Sequence, residues 1–574
     1  MNSVQVAFPI LRGKRYFRIE KGRRWSLAEH VLLQAVTRAP ASATELSKQS
    51  LLPRRVVIEA FLRLMRANFA EVIVERGEIK FGSTPLGLIQ SKNDELQNYP
   101  VITNRWMSFC VDQVSGTVFR SKEVPPVHPE DLKSDVIRIP PSDLHAIEDF
   151  GDVFEALEGE DEVIVGVKPT VERLVRRYGV VTVHSNGLLE GLPSRATPEL
   201  RGAILGAAQS KLTMRVAAQP RIFAPVHQSE QMIDASFDQS DLVIGGDEHR
   251  TLLSRTIRNA RQRVVIHSTF LLRDNAEQFL NDMKHAASYG TRIDILWGQD
   301  EERKKEASSR PESIYLREKL TAMGCGDAIV VHSTTTGSHA KIVLADDGQG
   351  NWSSIVGSCN WLASGFDFEV SVRLRDPAIC SQVAKVLSNL AKGRETIYTQ
   401  LAAELAVLSR DISRLKNQAT RRARMKIVFG SDHADLALEA SQKAKRRLFV
   451  LSHRIGVAGK PNVILPALSA ARSNNVSAQL FFGRSTATFK GTEAGQMTLE
   501  YSSAGLKIVP VYTPRMHAKV LAWDDDAVVI TSQNWLSADP SDNNRLREIG
   551  VYIESKNVAD RLIQIFQMRV AASM

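Results

Sequence analysis

Two octets that share the pattern His-x-Lys-x-x-x-x-Asp contain the side chains best suited to chemistry. They occupy residues 339–346 and 517–524. Each octet is followed by a turn of small residues and by an Asn-Trp-Leu triplet, which begins at Asn360 in one case and at Asn534 in the other. One such pattern could arise by chance, but two with matching followers indicate one chemical unit that occurs twice.

The spacing of the octets predicts how their side chains are presented. In a β-strand, residues i and i+2 face the same side, so His339 projects together with Lys341, and His517 with Lys519. If two copies pack about a pseudo-twofold axis, both pairs can meet in one pocket. Lysine acts as a point charge for phosphoryl oxygens, and imidazole can attack phosphorus or transfer a proton. These pairs therefore favour phosphodiester chemistry.

Further polar residues after each octet extend the predicted site. The amides of Asn360 and Asn534 and the hydroxyls of Ser358 and Ser532 could bind phosphate oxygens and neutralise charge that develops during the reaction. Together these side chains could hold a phosphodiester, with the two serines as supporting residues.

Acidic residues near the octets have two predicted roles. Glu369 and Glu548 are candidates to orient a histidine, because a negative group beside imidazole selects its tautomer and raises its basicity. Asp346 and Asp524 close the octets at strand ends, where acidic residues are also common in turns.

A metal site is the alternative explanation for the histidines. The pattern places a lysine beside each would-be ligand, and the sequence has no Cys or acidic cluster to complete a coordination shell. The four cysteines form no close pairs, which argues against a cysteine zinc site and against a disulfide framework. The sequence predicts neither a metal nor a cofactor.

The octets, with Gly357-Ser358-x-Asn360 and Ser532-x-Asn534, resemble the paired HKD motifs of the phospholipase D superfamily. The similarity covers about residues 240–574. It implies an α-β-α sandwich in each copy, one composite site, a phosphohistidine intermediate and no required metal. By resemblance His339 is the nucleophile and His517 the general acid, although pseudo-symmetry permits the reverse. The catalytic residues that the resemblance implies are His339, Lys341, Asp346, Asn360, His517, Lys519, Asp524 and Asn534.

An internal repeat surrounds the two octets. Strand and helix patterns alternate in the same order over 239–400 and 427–574, which predicts βαβ units and a largely parallel sheet in each copy. Residues 401–426 predict a helical linker that packs on both copies, or a helix whose basic end contacts phosphates. His249 and His433 recur at helix starts, where they could bond the backbone or line the pocket.

The N-terminal part of the chain predicts different elements. Residues 1–24 are strongly basic, which is typical of a phosphate-contacting arm or of a solvated segment. Residues 25–92 predict three helices and a hairpin, the order of a winged helix-turn-helix. Its third helix would expose Arg54, Arg55 and Arg63 to DNA. Residues 93–238 form a mixed α/β accessory region with strands at 162–166 and 179–183 and a helix near 172–177.

Composition restricts the class of protein. The chain has 574 residues, of which 43% are hydrophobic, and a formal net charge of +10. It is long enough for about three to four domains and too apolar to be a disordered chain. The sequence contains neither a secretory signal nor a membrane-spanning run. We expect a cytoplasmic protein with a polyanionic partner.

Together these features predict a metal-independent phosphodiesterase that acts as a DNA nuclease, an endonuclease by preference, and not on membranes. Such nucleases often serve microbial restriction or antiphage defence beside an ATPase or helicase. An ATPase or helicase partner and a homo-oligomer are therefore further expectations. A phospholipase D or phosphatidyltransferase is the first alternative function. A non-catalytic nucleic-acid-binding module is the second.

Overall fold

The computed structural model of the chain divides into two compact units, Met1–Val216 and Ala217–Met574. All statements below concern the residues that the structure describes. These are residues 3–21, 25–75, 78–93, 96, 101–141, 150–159, 162–168, 174–193, 195–209, 232–299, 309–392, 399–416, 422–430, 432–474, 476–486, 495, 499–502, 505–539 and 548–573.

The prediction of a basic N-terminal arm is wrong, because Ser3–Lys21 form the long strand β1. Its charged residues alternate with buried ones: Arg12, Lys14 and Arg18 are exposed, whereas Phe17 and Ile19 are buried. That two-residue period is typical of a strand with one face in a core, and the density of charge hid it in the sequence. Residues 22–24 lie outside the described residues.

Three helices and a hairpin follow β1, as the sequence predicted. Ser26 and Ser42 each form a capping box at the start of a helix, with Glu29 and Glu45 respectively. The assignment of this part to the winged-helix class stays a prediction. The elements are α1 (Leu27–Arg38), α2 (Ala43–Ser50), α3 (Arg54–Arg66), β2 (Ala70–Glu75), β3 (Glu78–Ser83) and α4 (Pro85–Gln90).

The rest of the first unit forms a sheet around β1. The predicted helix near 172–177 is wrong at Val175–Arg177, which pair with Ile10–Arg12 of β1; Glu172 lies outside the described residues. The elements are β4 (Val101–Asp112), β5 (Val118–Arg120), β6 (Ile137–Arg138), α5 (Phe150–Leu157), β7 (Glu162–Lys168), β8 (Val175–His184), β9 (Leu189–Glu190) and α6 (Pro198–Gln209). The sheet order is β5-β4-β1-β8-β9, and β6 and β7 also pair with β1.

The second unit contains two similar α/β domains, here called the first and second repeats. The first repeat has sheet order β11-β17-β16-β15-β12-β13-β14. The elements up to its end are β10 (Ile233–Ser236), β11 (Leu242–Ile244), α7 (Gly246–Asn259), β12 (Arg263–Ser268), α8 (Arg273–Glu277), α9 (Leu280–Ser288), β13 (Arg292–Trp297), α10 (Ser309–Ala322), β14 (Ile329–Val331), β15 (Ile342–Asp346), β16 (Trp352–Gly357), β17 (Val370–Leu374) and α11 (Pro377–Leu390).

The second repeat reproduces that strand order as β18-β24-β23-β22-β19-β20-β21, with β10 added beside β18. The strand that precedes the first repeat therefore completes the sheet of the second. The remaining elements are α12 (Gln400–Ser413), β18 (Arg422–Phe429), α13 (Asp432–Lys443), β19 (Arg447–Ile455), α14 (Leu465–Asn474), β20 (Ser477–Ser485), β21 (Leu506–Pro510), β22 (Val520–Trp523), β23 (Ala527–Thr531), β24 (Ile549–Glu554) and α15 (Val558–Ala571).

The sheets of both repeats are mixed, so the prediction of largely parallel sheets is wrong. Among the described strands, β12, β13 and β14 run parallel, whereas β15, β16, β17 and β11 follow in antiparallel pairs. The sequence predicted the alternation of strands and helices, but it could not identify which strands are joined by direct returns rather than by helical crossovers. Helices cover the sheets, which gives the predicted α-β-α sandwich in each repeat.

The predicted linker of residues 401–426 is correct only in its first half. Helix α12 packs against α11, and its leucines at 401 and 405 are buried. The basic end is not helical: Arg422–Phe429 form β18, inside the sheet of the second repeat. Arg424 there forms an ion pair with Glu554 at 2.9 Å, so this residue is held by its neighbour strand.

Candidate active site

The two His-Lys segments lie at one end of the sheets, where the parallel strands finish. His339 and Lys341 stand immediately before β15, and His517 and Lys519 immediately before β22. Each segment runs beside the carboxyl end of a parallel strand, β12 or β19, because β15 and β22 are the antiparallel neighbours of those strands. Carboxyl ends of parallel strands are a common location for ligand sites in α/β folds.

Backbone bonds between the repeats fix the position of the second segment. The N–H groups of His517 and Ala518 both donate to the carbonyl of Phe368, at 2.9 and 3.2 Å. Phe368 immediately precedes Glu369 in the first repeat. This contact therefore carries a glutamate of the first repeat to a histidine of the second.

The site's two glutamates are exchanged between the repeats. Glu548 of the second repeat accepts a hydrogen bond from His339 Nδ1 at 3.0 Å. Glu369 of the first repeat accepts from His517 Nδ1 at 3.0 Å. A carboxylate partner at Nδ1 leaves Nε2 of each imidazole with a free lone pair. The sequence predicted the orienting role of both glutamates but not their exchange.

Two serines hold these glutamates in place. Ser358 Oγ donates to Glu369 at 2.5 Å and accepts from the backbone N–H of Val370. Ser532 Oγ donates to Glu548 and accepts from Ile549 N–H in the same way. The prediction that these hydroxyls face the substrate is therefore wrong, since each is already bonded to a carboxylate and a backbone amide.

Both lysines are fully buried, and each folds back onto its own segment. Lys341 Nζ donates to the carbonyl of His339 at 2.5 Å and to Thr269 Oγ1 at 2.8 Å. Lys519 Nζ donates to the carbonyl of His517 at 2.6 Å. An ammonium group has three protons, so a buried lysine with one or two such bonds retains capacity for an anion.

Burial and neighbouring charges shift the pKa values of these groups. Burial lowers the pKa of Lys341 to about 8, and burial together with the Lys341 charge lowers that of Lys519 to about 7. Burial lowers the pKa of His517 to about 4, and it also lowers that of His339, while the paired carboxylates oppose both shifts. The site is therefore arranged with neutral imidazoles beside ionised carboxylates.

The glutamates are shifted in the opposite sense to ordinary buried carboxyl groups. Burial alone would raise the pKa of Glu548, but its electrostatic interactions with His339 and Lys341 and the hydrogen bond from His339 bring it down to about 2. The charge and hydrogen bond of His517 likewise hold the pKa of Glu369 far below its usual range, against the effect of burial. Both carboxylates are thus ionised at neutral pH.

Asn360 is buried and Asn534 is half-buried, and the side-chain oxygen of each is buried and unsatisfied. Neither Asn360 Oδ1 nor Asn534 Oδ1 has a hydrogen-bond partner in the part of the chain that the structure describes. The indole Nε1 atoms of the following residues, Trp361 and Trp535, are unsatisfied as well. Buried polar groups without partners are uncommon and often mark a binding site.

The structure does not bring Asp346 and Asp524 into the site, so their predicted catalytic role is wrong. They lie at the other ends of β15 and β22 or just beyond. Asp346 accepts from the backbone N–H groups of Arg261, Gln262 and Arg263 at 2.8–2.9 Å. Asp524 does the same for residues 445–447, at 2.8–3.3 Å. Both carboxylates fix the turn that enters β12 or β19.

His249 and His433 have the helix-start role that the sequence offered as one of two interpretations. His249 Nδ1 donates to the carbonyl of Gly245 at 2.6 Å, and its Nε2 accepts from Ser371 Oγ at 2.8 Å. His433 makes the same pair of bonds to Gly430 and Thr531. With both nitrogens satisfied, these imidazoles support the fold.

A third imidazole at the site was missed. His453 lies 4.8 Å from His517 between ring centroids, and its Nδ1 donates to the carbonyl of Met516 at 2.8 Å. Its counterpart in the first repeat is Thr269, because Ser268 pairs with Trp297 as Ser452 pairs with Phe482. Aligning the two repeats residue by residue would have revealed this difference.

An aromatic side chain from the first repeat also contacts the second histidine. The ring of Phe366 stacks on His517 with centroids 4.6 Å apart and an interplanar angle of 14°. His339 has a more distant edge contact with Phe270, at 6.5 Å. The two imidazoles therefore have different surroundings despite the shared motif.

The three arginines predicted to bind DNA lie in the first unit and have unequal environments. Arg54 and Arg55 are exposed at the start of α3, as predicted. Arg63 instead forms an ion pair with the buried Glu29 and lies over the ring of Trp25 at 5.2 Å. Its guanidinium fixes α3 to α1, so the prediction that Arg63 is free for DNA is wrong.

The described residues contain no group of three or more His, Cys, Asp or Glu side chains arranged to hold a metal ion. No helix in the described ranges has the length and apolar character needed to cross a membrane.

Comparison with known proteins gives a family match and distant structural similarities. The family model described as "Cardiolipin synthase, PLD-like domain" matches residues 253–391 and 438–570. No sequence among the curated proteins matches the chain. Phosphatidylserine synthase of Haemophilus influenzae is similar at 10% identity, with 60% of this chain and 89% of that chain covered and a TM-score of 0.42.

Two shorter proteins are also similar. Nuc of Salmonella typhimurium, a phospholipase D family member, is 16% identical, with 26% of this chain and 93% of that chain covered and a TM-score of 0.22. NucT of Helicobacter pylori is 12% identical, with 26% of this chain and 96% of that chain covered and a TM-score of 0.21.

Proposed function

The chain belongs to the phospholipase D superfamily, and we propose on that basis that it is a phosphodiesterase that cleaves DNA through a phosphohistidine intermediate. The exchanged carboxylates are the observation that carries this proposal. Each imidazole has its Nδ1 proton held by a glutamate, so each presents Nε2 for chemistry. Two imidazoles with this arrangement can divide nucleophilic and acid-base work.

In the first half of the proposed reaction, Nε2 of His339 attacks phosphorus. The N–P bond forms while the bond from phosphorus to the leaving oxygen breaks, and Nε2–H of protonated His517 gives its proton to that oxygen. The phosphodiester's negative charge stabilises the imidazolium, which raises the pKa of His517 above its value in the protein alone. Lys341 and Lys519 neutralise the oxygens of phosphorus as charge develops.

In the second half, His517 accepts a proton from water as the water oxygen attacks phosphorus. The N–P bond breaks, and His339 recovers its lone pair. The step is a hydrolysis that needs no metal ion and no other co-reactant. The pseudo-symmetry of the repeats also permits the reverse assignment of His339 and His517. The histidine that carries the covalent adduct in quenched reactions therefore identifies the nucleophile. Asn360 and Asn534 are proposed to bind the phosphate through their amide groups.

Nucleic acid is the proposed substrate because the chain has a net charge of +10, which favours a polyanionic partner. Exposed Arg54 and Arg55 in the first unit are proposed to contact its phosphates. An ATPase or helicase partner, a homo-oligomeric state and a cytoplasmic role in restriction or antiphage defence remain proposals from the same interpretation.

The test is incubation of the purified chain with plasmid, linear duplex, single-stranded DNA and RNA, each with and without EDTA. We expect EDTA-resistant cutting of DNA that is lost in His339→Ala and in His517→Ala but retained in His285→Ala, a histidine outside the site. Quenched reactions should contain a DNA fragment joined to His339 through its phosphate. Cutting that requires magnesium would refute the mechanism, and a gel shift without cutting would support the binding-module alternative.

A phospholipid function is the second candidate. The matching family model is described by the name cardiolipin synthase, and one similar structure is a phosphatidylserine synthase. Vesicles of phosphatidylcholine and of phosphatidylglycerol therefore belong in the same experiment. Release of phosphatidate or transfer of a phosphatidyl group, with intact DNA, would favour this candidate over the nuclease.

A further inference from the structure

Two arginines lie side by side near the carboxyl ends of strands β19 and β20 in the second repeat. Arg454 and Arg484 are directly paired across the parallel strands β19 and β20, one step before each strand ends. Paired residues of neighbouring strands project from the same face, so the two guanidinium groups are neighbours. Both side chains are exposed.

Among the described residues, neither arginine has a carboxylate partner within 4.0 Å. By contrast, the nearby Arg515 pairs with Asp367, and Arg447 pairs with Asp525 and Asp560. Two adjacent like charges repel each other, and partial burial and the Arg454 charge lower the pKa of Arg484. An anion between the two guanidinium groups would relieve this repulsion.

The arginine pair is close enough to act on the site electrostatically. After burial and the Lys341 charge, Arg454 also contributes to the lowered pKa of Lys519. Arg484 likewise contributes to the lowered pKa of His453, after burial and the charges of His517 and Lys519. The pair therefore borders the site on the side of the second repeat.

The first repeat has no such pair. Arg454 follows Ser452 by two residues, as Phe270 follows Ser268, and Arg484 follows Phe482 as Gln299 follows Trp297. Gln299 N–H donates to the carbonyl of Thr269, which places Gln299 beside this strand end. The first repeat thus presents an aromatic and an amide where the second presents two cations. At these matched positions, within the described residues, the second repeat is charged and the first is neutral.

We propose that Arg454 and Arg484 bind the phosphate next to the scissile one, so that the substrate is a chain of phosphodiesters held in a single direction across the two repeats. This inference rests on the proposed nuclease function and specifies its substrate class. A phospholipid with one phosphate and a cationic headgroup would place that headgroup against the arginines, which is unfavourable. A nucleic-acid strand supplies a second phosphate on either side of the cleaved bond.

The test compares three substrates within one enzyme. One is a thymidine dinucleotide with a single internal phosphodiester, and the others carry one additional phosphate at one end or at the other. We expect one end-phosphorylated dinucleotide, but not both, to have a kcat/KM about tenfold or more above the plain dinucleotide, which corresponds to about 1.4 kcal/mol. In Arg454→Gln/Arg484→Gln this ratio should fall to about one.

The matched control is Arg472→Gln/Lys507→Gln, which removes two exposed cations elsewhere in the second repeat and should keep the wild-type ratio. With single-stranded DNA, the slope of log kcat/KM against log salt should become shallower by about 0.7 in the arginine variant, as expected for one lost phosphate contact. An unchanged slope and ratio would overturn the proposal.

The outcomes separate this inference from the proposed function. If the wild-type chain cleaves the plain dinucleotide but gains nothing from an added phosphate, the arginine subsite is refuted and the phosphodiesterase stands. If both end-phosphorylated forms gain equally, the single direction is refuted. If the chain cleaves no nucleotide but turns over cardiolipin or phosphatidylglycerol vesicles, the nuclease proposal itself fails.

Discussion

Each imidazole of the site depends on a carboxylate from the other repeat. The Glu548–His339 and Glu369–His517 bonds hold one tautomer on each ring. A ring with the other tautomer would direct a proton, not a lone pair, at phosphorus. The two glutamates therefore act through the histidines, as positioning residues, and they should affect the rate more than substrate binding.

We expect Glu548→Gln and Glu369→Gln each to lower kcat by about 10²-fold or more, the usual range for acid-base catalysis. A glutamine can place an amide N–H against the ring and so select the wrong tautomer. KM should change much less than kcat. Glu439→Gln, which removes a surface carboxylate paired with Lys443, is the control. A near-normal kcat in either site variant would contradict the orienting role.

The lysine pKa values predict a pH profile. A lysine binds phosphate only in its charged form, and Lys519, with a pKa of about 7, loses its charge as pH rises through 7. The value of kcat/KM should therefore decline above about pH 7. Arginine stays charged throughout this range. Lys519→Arg should move the decline upward by about one pH unit, toward the pKa of about 8 of Lys341.

The control for the pH profile is Lys507→Arg on the surface, which should reproduce the wild-type curve. The shape of the profile is the measurement, because Lys519→Arg also changes the geometry and lowers the absolute rate. An alkaline limb that stays at the same pH in Lys519→Arg would mean that another group controls it.

For individual residues, the sequence predicted the side chains of the site well but their hydrogen-bond partners poorly. Repetition identified His339, Lys341, His517 and Lys519, and the structure places these four around one site. The exchange of Glu369 and Glu548 was beyond prediction, because sequence distance points to the nearer histidine in the same repeat. Ser358 and Ser532 were assigned to phosphate for the same reason: their glutamate partners become adjacent only in the folded chain.

Among the elements, strands β15 and β22 each have the proposed catalytic residues at one end and a structural aspartate at the other. Their first ends adjoin the His-Lys segments, and the aspartates lie at or beyond their last residues. Asp346 is the fifth residue after Lys341 along an extended chain, a span of roughly 16 Å at about 3.3 Å per residue. The aspartate of each motif therefore stabilises the strand that positions the histidine and lysine, without contact with the substrate.

We expect Asp346→Asn to destabilise the second unit by about 1–3 kcal/mol, because a carboxylate that accepts four backbone N–H groups is replaced by an amide. The kcat/KM per folded molecule should stay within about threefold of the wild type. Thermal unfolding followed by calorimetry gives the first quantity, and assays well below the transition give the second.

The control for this substitution is Asp411→Asn, on the exposed face of α12, which should change neither quantity. Loss of activity in Asp346→Asn without a change in the unfolding temperature would restore the catalytic interpretation of this residue.

Strand β1 illustrates where sequence patterns mislead at the scale of elements. Its many basic residues suggested a solvated arm. The alternation of exposed and buried side chains along β1 is explained only by its pairing with β4 and β8. Even Arg15 is buried, at 1% exposure, so charge alone does not indicate solvent. The mixed direction of the repeat sheets has a similar origin, since strand order depends on long-range pairing that local periodicity does not contain.

In the whole molecule, every site residue lies in the second unit. Residues from His339 to Glu548 belong to Ala217–Met574, and β10 at the beginning of that unit completes the second sheet. The first unit contains the exposed Arg54 and Arg55 and has its own sheet and its own cores. This division predicts that chemistry and extended substrate binding are separable.

We expect a chain of residues 217–574 to fold and to cleave the thymidine dinucleotide with a kcat/KM close to that of the full chain. Its KM for long duplex DNA should rise about tenfold or more if the first unit contributes phosphate contacts. A chain that begins at residue 239 lacks β10 and should have a lower unfolding temperature. Equal KM values on long DNA would show that the first unit has another role.

The exchange of Glu369 and Glu548 has a consequence for how such a chain can change over generations. If Glu548→Gln and Glu369→Gln lower kcat as predicted, a substitution at either glutamate impairs a histidine of the other repeat, so neither repeat can lose its motif while the other stays active. Duplication usually allows one copy to diverge. Here the exchanged contacts mean that both copies of the motif must be retained together. A chain with a single repeat could form the same pair of contacts only as a homodimer.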